Sequence, residues 1–329
     1  MFTKKRIAFV LPIFNEATNI LPLYEELVAV TSRITSGYDF EFIFVDDGSS
    51  DHSLSTLLEL RAKDDRATVL SFSRNFGHQL AVTAGLDAAE ADAVIIMDTD
   101  LQDPPRVAIE LIERWELGAD VVYAQRRSRK DTFFKRFTAH SFYWALARLA
   151  SIEIPRNTGD FRLLDRKVVE ELRKYREHDR FLRGLVSHVG FQQEAVLFDR
   201  DARFSGSTGY PLKKMVRFAL DGIFGFSTVP LQLISRFGAL TSAVAALGVV
   251  YVLAQRLLAP ATTVPGWAFV MVSVFFIGGV QMLMLGVLGN YVGRIYVESQ
   301  NRPLYTVSVT ARGQLASAPK GAEHVLVAS

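Results

Sequence analysis

Between Asp221 and Glu298 the chain carries no acidic residue, and within that stretch lie two segments without any charge, 237–255 and 267–293. Each reaches the roughly 20 residues that a helix needs to cross a bilayer. Charge-free runs of that length are uncommon inside soluble cores, so the pattern predicts two transmembrane helices and leaves a soluble domain chiefly to the residues before them. Lys213, Lys214, Arg217 and Arg236 precede the first span, Arg294 and Arg302 follow the second, and the loop 257–266 is uncharged. Basic residues gather on the cytoplasmic side of a span, which puts both chain ends in the cytoplasm. The 49% hydrophobic fraction fits a chain of this mixed kind.

The stretch 211–226 places Lys213, Lys214 and Arg217 on one side of a helix and Met215, Phe218, Leu220 and Ile223 largely on another. That suits a helix lying in the headgroup layer, with an amphipathic surface helix of the soluble domain as the alternative. Up to about Arg203 the chain alternates apolar runs, 7–11, 40–45, 67–72, 93–97 and 120–123, with amphipathic stretches. Continuous β-branched and aromatic runs predict strands covered on both faces, and the alternation predicts an α/β domain. Helices are expected near Ala17, after Asp51, over 77–91 and from Pro104-Pro105, where proline suits a first turn.

With no cysteine, the chain has neither a disulfide framework nor a thiolate metal site, and thiol catalysis is excluded. A formal charge of +2 gives no global polybasic signature of a nucleic-acid binder. The N-terminal apolar run breaks at Pro12 and soon meets Asn15-Glu16, unlike a cleaved signal peptide, so the front of the chain is expected to stay cytoplasmic.

Three acidic motifs directly follow strand-like runs: Leu11-Pro12-Ile13-Phe14-Asn15-Glu16, Val45-Asp46-Asp47-Gly48-Ser49-Ser50-Asp51, and Met97-Asp98-Thr99-Asp100-Leu101-Gln102-Asp103. Strand C-termini of an open parallel sheet face the ligand crevice, so these motifs should share one edge. Each alone is often only a capped turn. Asp100 is the best candidate metal ligand, with Asp98 contacting a ribose or supporting the ion and Gln102 adding an amide oxygen; a hard ion such as Mg²⁺ or Mn²⁺ prefers such oxygens with phosphates. Basic residues cluster at Arg126, Arg127, Arg129 and Lys135, leading into an apolar stretch over 137–150. Cations beside grease suit a phosphate head on a lipid tail, the alternative being a solvated charged face. Arg203 lies in a Gly/Ser-rich loop that either closes over a pyrophosphate or merely links the domain to the membrane.

With the three motifs, Ser71-Phe-Ser-Arg-Asn-Phe-Gly-His78, Asn157-Thr-Gly-Asp-Phe-Arg-Leu-Leu-Asp-Arg166 and two C-terminal spans, the chain resembles glycosyltransferase family 2, specifically its polyprenyl-phosphate glycosyltransferases. The resemblance implies an α/β fold of GT-A type, a Rossmann-like mixed, mostly parallel sheet, followed by an interfacial helix and two transmembrane helices. It implies that Pro12, Glu16, Asp46 and Asp47 line the pocket for base and ribose and that Asp160 stands where the family places its catalytic base. A phosphate monoester acceptor is largely a dianion near neutral pH, so Asp160 is expected to orient the acceptor or balance an arginine such as Arg162 more than to remove a proton. His78, on a Gly-rich turn opening a helix, either approaches the nucleotide or is a capping residue.

The expected organisation is a cytoplasmic catalytic domain over 1–210, an interfacial helix over 211–228, a membrane domain over 229–294 and a cytoplasmic tail over 295–329. The expected activity is inverting, metal-dependent transfer of a hexose, first of all glucose, from a UDP-sugar to undecaprenyl or another polyprenyl phosphate, with Asp100, Asp160 and Arg203 carrying the chemistry. UDP-aminoarabinose-type or GDP-mannose donors are the alternatives, and an inactive nucleotide-sugar-binding membrane scaffold is the rival from another class. The partners expected are the nucleotide sugar, the polyprenyl phosphate, the lipid membrane, a second copy of the chain and a flippase for the product, but no nucleic acid.

Overall fold

The computed structural model describes residues 4–127, 158–199, 229–258 and 266–312, which fall into two compact units. Arg129, Lys135, Arg203 and the stretch 211–228 lie outside the described residues. The first unit comprises 4–127, 158–199 and 303–312, and the second 229–258 and 266–302.

The first unit is built on β1 (Lys5–Ile13), α1 (Ala17–Thr31), β2 (Tyr38–Asp46), α2 (Ser53–Lys63), β3 (Ala67–Phe72), α3 (His78–Ala88), β4 (Ala93–Ile96), α4 (Val107–Glu116) and β5 (Val121–Arg126). It continues with β6 (Thr158–Asp165), α5 (Arg166–Leu172), α6 (Leu182–His188) and β7 (Gln193–Phe198). A last strand, β8 (Val307–Ala311), completes a sheet of order β7-β5-β6-β4-β1-β2-β3-β8. The strands β3, β2, β1 and β4 run parallel, whereas β6 is antiparallel to both β4 and β5, and β8 is antiparallel to β3. This is the mixed, GT-A-like sheet that the resemblance implies. The chain winds outward from β1 to β3 and then crosses to β4 on the other side of β1, so the strand order reverses between β1 and β4, where such sheets open a ligand crevice.

The central strands are apolar on both faces because helices cover both. Phe9, Leu11, Phe42 and Phe44 pack with Leu23, Leu27 and Leu57 of α1 and α2, and with Leu111 of α4, in one fully buried cluster. The Phe9 and Phe42 rings stack at 5.6 Å. On the other face, α3 presses against β1 at Gly85, where a Cβ would come within 2.2 Å of the Val10 side chain.

The second unit consists of two long helices, α7 (Val229–Leu258) and α8 (Trp267–Ser299). Large apolar side chains stand exposed along both, among them Leu247 at 70% and Leu283 at 74%. Among the described residues one segment, Phe276–Ser299, is long and apolar enough to cross a membrane. The expected tail over 295–329 contains instead the last turn of α8 and the strand β8.

Candidate active site

The three acidic motifs do arrive at one end of the sheet, as loops leaving β1, β2 and β4. The first two loops hold each other. Asn15, with φ 56°, donates its N–H to Ser49 Oγ at 2.9 Å and accepts from Ser50 N at 2.9 Å. Glu16 donates its N–H to Ser53 Oγ at 3.1 Å, while its carboxylate accepts from Asn19. Pro12 is the penultimate residue of β1, and its carbonyl accepts Thr99 Oγ1 at 3.2 Å, tying the first motif to the third.

Asp46 and Asp47, expected to line the nucleotide pocket, are both buried and both hydrogen-bonded within the protein. Asp46, 1% exposed, accepts from Ser49 N at 3.1 Å and from Ser71 Oγ at 2.7 Å. Asp47 accepts from Phe76 N at 2.7 Å, Gly77 N at 2.9 Å and Asn75 Nδ2 at 2.9 Å, and so anchors the loop that opens α3. Burial raises the Asp47 carboxyl above its ordinary range, and the backbone N–H groups of Phe76 and Gly77 counter it. Gly48 follows Asp47 at φ 66°, and a Cβ there would fall 2.4 Å from the Arg74 carbonyl carbon. Only glycine fits so strained and close an approach.

The third motif meets β6. Ile96 pairs with Arg162 in antiparallel register, and continuing that register brings Asp98 level with Asp160. His78, the first residue of α3, lies between the two carboxylates: its Nε2 is 3.1 Å from Asp160 Oδ2 and 3.6 Å from Asp98 Oδ1. Asp160 is 3% exposed and is surrounded. Arg183 Nε donates to its Oδ1 at 2.7 Å, and Gln79 Nε2 to its Oδ2 at 3.2 Å. Burial opposes ionisation of Asp160, but the His78 bond and the Arg183 and Arg162 charges outweigh it and hold the carboxyl well below the usual range. Arg162 is itself buried, which pulls it down to about 10 against the favourable charge of Asp160. Asp98 goes the other way: burial, with the negative charges of Asp160, Asp103 and Asp100 and despite His78, pushes it up to about 6. Burial works against the protonated form of His78, yet its bond to Asp160 and the charge of Asp98 raise it overall.

Asp100 accepts the Gln102 N–H at 3.2 Å across Leu101, whose φ is 57°, and Gln102 is largely buried. Arg126 reaches Asp103 at 3.7 Å, and Arg127 reaches the exposed Asp199 at 3.7 Å. Arg126 is therefore tied to the third motif, while Arg127 stays on the surface.

Among the described residues no three His, Cys, Asp or Glu side chains stand close enough to enclose an ion alone. The site nonetheless fits a hard divalent cation. Asp98 Oδ1 is buried with no hydrogen-bond donor, and burial, with the carboxylates around it and despite His78, raises its proton affinity. Mg²⁺-like ions are commonly held by one or two carboxylates with substrate phosphates completing the shell. The sequence reading left two contributors unnamed, Gln79 and Arg183. Gln79 directly follows the quoted His78, and that adjacency was the available signal. Arg183 follows no motif-bearing strand, and nothing in its local pattern sets it apart.

The family description "Glycosyl transferase family 2" matches residues 8–173. The chain is 46% identical to an uncharacterised glycosyltransferase, YkcC, of Bacillus subtilis, over 91% of this chain and 92% of that one. It is 39% identical to the SfII prophage-derived bactoprenol glucosyl transferase of Shigella flexneri, over 94% of this chain and 99% of that one. It is also 39% identical to a prophage bactoprenol glucosyl transferase homolog of Escherichia coli, covering 92% and 98% respectively.

Proposed function

Because this chain belongs to glycosyltransferase family 2, we propose that it transfers glucose from UDP-glucose to a polyprenyl phosphate with inversion, at the cytoplasmic face of a membrane. The observation that carries the reading is the meeting of Asp98, His78 and Asp160 at the strand ends beside the Asp100 loop. The names of the relatives at 39% identity supply the sugar and the lipid.

In the reaction an oxygen of the lipid phosphate attacks the sugar C1, the bond from C1 to the β-phosphate oxygen breaks, and UDP leaves with the bonding pair. One displacement inverts the centre and needs no glycosyl-enzyme. The leaving group gains negative charge as that bond breaks, so a nearby cation lowers the barrier. Bound Mg²⁺ or Mn²⁺, held by Asp98 and Asp100 with Gln102 in support, would supply that charge. Pro12 and Glu16 border the crevice where base and ribose would lie. Asp46 and Asp47 act there by shaping the loops. Asp160, ionised and paired with Arg183, orients the reacting groups; the acceptor dianion needs no base to become nucleophilic. Arg126, Arg127, Arg129 and Lys135 would receive the lipid phosphate, and Arg203 the donor pyrophosphate.

The charge-free segments 237–255 and 267–293 within the two helices support anchoring by two spans, with both chain ends cytoplasmic and 211–228 in the headgroup layer. The product would then need a flippase, and the chain would work as a homo-oligomer. UDP-aminoarabinose or GDP-mannose remain the other donors to try. The test is to incubate the membrane-embedded protein with radiolabelled nucleotide sugars and undecaprenyl phosphate, with and without EDTA. Label is expected in the lipid phase with UDP-glucose and to vanish on chelation. No label with any donor would leave the scaffold reading, and full activity in EDTA would remove the metal.

A further inference from the structure

Resting on that reading, we propose that Arg183 is a positioning residue for the transfer, fixing the Asp160 carboxylate in the orientation that meets His78 and Gln79. A carboxylate as enclosed as Asp160 persists in its charged form only with paired charge and full hydrogen bonding. Its two oxygens are divided: Oδ1 takes the Arg183 Nε bond at 2.7 Å, while Oδ2 faces Gln79 Nε2 at 3.2 Å and His78 Nε2 at 3.1 Å. The last torsion of an aspartate is broad and two-fold, so it is set by its partners and not by its own rotamer. Removing Arg183 releases Oδ1 and lets the carboxylate turn away from His78.

Arg183 is itself held in place. It follows Leu182, which is fully buried, in the first turn of α6. That helix has no side-chain cap from its own N-cap residue. Gln79 Oε1 takes the role, accepting Leu182 N at 3.0 Å. Gln79 thus bonds α6 through one end of its amide and Asp160 through the other, so α3, β6 and α6 converge on a single carboxylate. Through His78 the arrangement extends to Asp98, 3.6 Å away. Arg183 lies beyond the stretch 8–173 matched by the family description, so this role is read from the geometry alone.

The test compares full-length wild type, Arg183→Gln, Arg183→Lys, Asp160→Asn and the double variant Asp160→Asn/Arg183→Gln, with labelled UDP-glucose and undecaprenyl phosphate. Arg183→Gln is expected to lower kcat by about a hundredfold, since small misplacements near reacting groups cost on that order. The donor KM should move by less than about threefold, and Arg183→Lys should recover most of the loss because it keeps the charge. The double variant should be no slower than Asp160→Asn, for a residue acting through Asp160 has nothing left to act through. Additive losses, or a loss that sits in the donor KM, would overturn the proposal and make Arg183 a direct donor contact. Should the wild type label no lipid at all, the transferase reading fails, and the positioning role is judged by a solved structure of Arg183→Gln. There the Asp160 carboxylate must have turned; an unmoved carboxylate sinks the inference.

Discussion

Asp98, two residues past the end of β4, stands level with Asp160 on the neighbouring antiparallel β6, yet their surroundings treat them oppositely. Asp160 has Arg183 and His78 against it and is held ionised; its stabilising effect is present throughout neutral pH and is lost only in strong acid, as pH falls through its lowered folded value. Asp98 is buried among acids, with its folded value raised to about 6. Folding therefore disfavours its charge: the penalty is absent below the unfolded value of about 3.9 and is complete once pH passes the folded one. Without donor or divalent ions at about pH 7.5, Asp98→Asn should unfold at a higher temperature than wild type. Asp160→Asn should unfold lower, by on the order of 3 kcal/mol, because Arg162 and Arg183 lose their counter-charge. Scanning fluorimetry of the full chain reads both shifts, and the reverse order would contradict this electrostatic account. The sequence made Asp98 visible because it follows an apolar run, whereas Asp160 was legible only through the family resemblance. It did not reveal that Asp46 and Asp47 bond inward, since a carboxylate that braces a loop and one that meets a ligand have the same neighbours in sequence.

At the level of elements, β1 to β5 were legible as continuous runs of branched and aromatic residues, and their predicted bounds fall within three residues of the observed ones. The strand β8 was not. Its five residues, Val-Ser-Val-Thr-Ala, are half exposed on a sheet edge, and such an edge leaves a weak apolar pattern. What fixes it is long-range: Ser308 Oγ donates to the Ser71 carbonyl at 3.1 Å, Arg61 Nε to the Arg312 carbonyl at 2.9 Å, and Ser73 N to the Thr306 carbonyl at 3.0 Å. Tyr305, just before it, stacks on Phe72 at 5.1 Å and donates its hydroxyl to Asp87 at 2.8 Å. Asp87 keeps Arg176 as a partner at 2.8 Å, so Tyr305→Phe should cost only about 1 kcal/mol. Tyr305→Ala, which also removes the ring, should cost about 3 kcal/mol. Denaturation midpoints of the two variants check the ranking, and equal midpoints would mean that the ring contributes nothing to holding β8.

For the whole molecule, β8 has a consequence that neither long helix carries alone. Strands from before α7 and from after α8 lie in one sheet, so the chain must leave and return on the same side of any membrane it crosses. The number of crossings between β7 and β8 is then even. Should the apolar segment of α8 cross a bilayer, a second crossing must accompany it, and α7, 30 residues long or about 45 Å, is ample for a hydrocarbon layer of roughly 30 Å. The placement of basic residues points the same way by independent physics, with Arg236 near the start of α7 and Arg294 near the end of α8. Since the chain contains no cysteine, single introduced thiols report without background. Thr262→Cys, in the uncharged loop between the helices, should react in intact cells with a membrane-impermeant maleimide. Asn301→Cys, after α8, should react only once the membrane is opened. If both sites stay protected until permeabilisation, the crossings number zero, and the two helices lie along the membrane without spanning it.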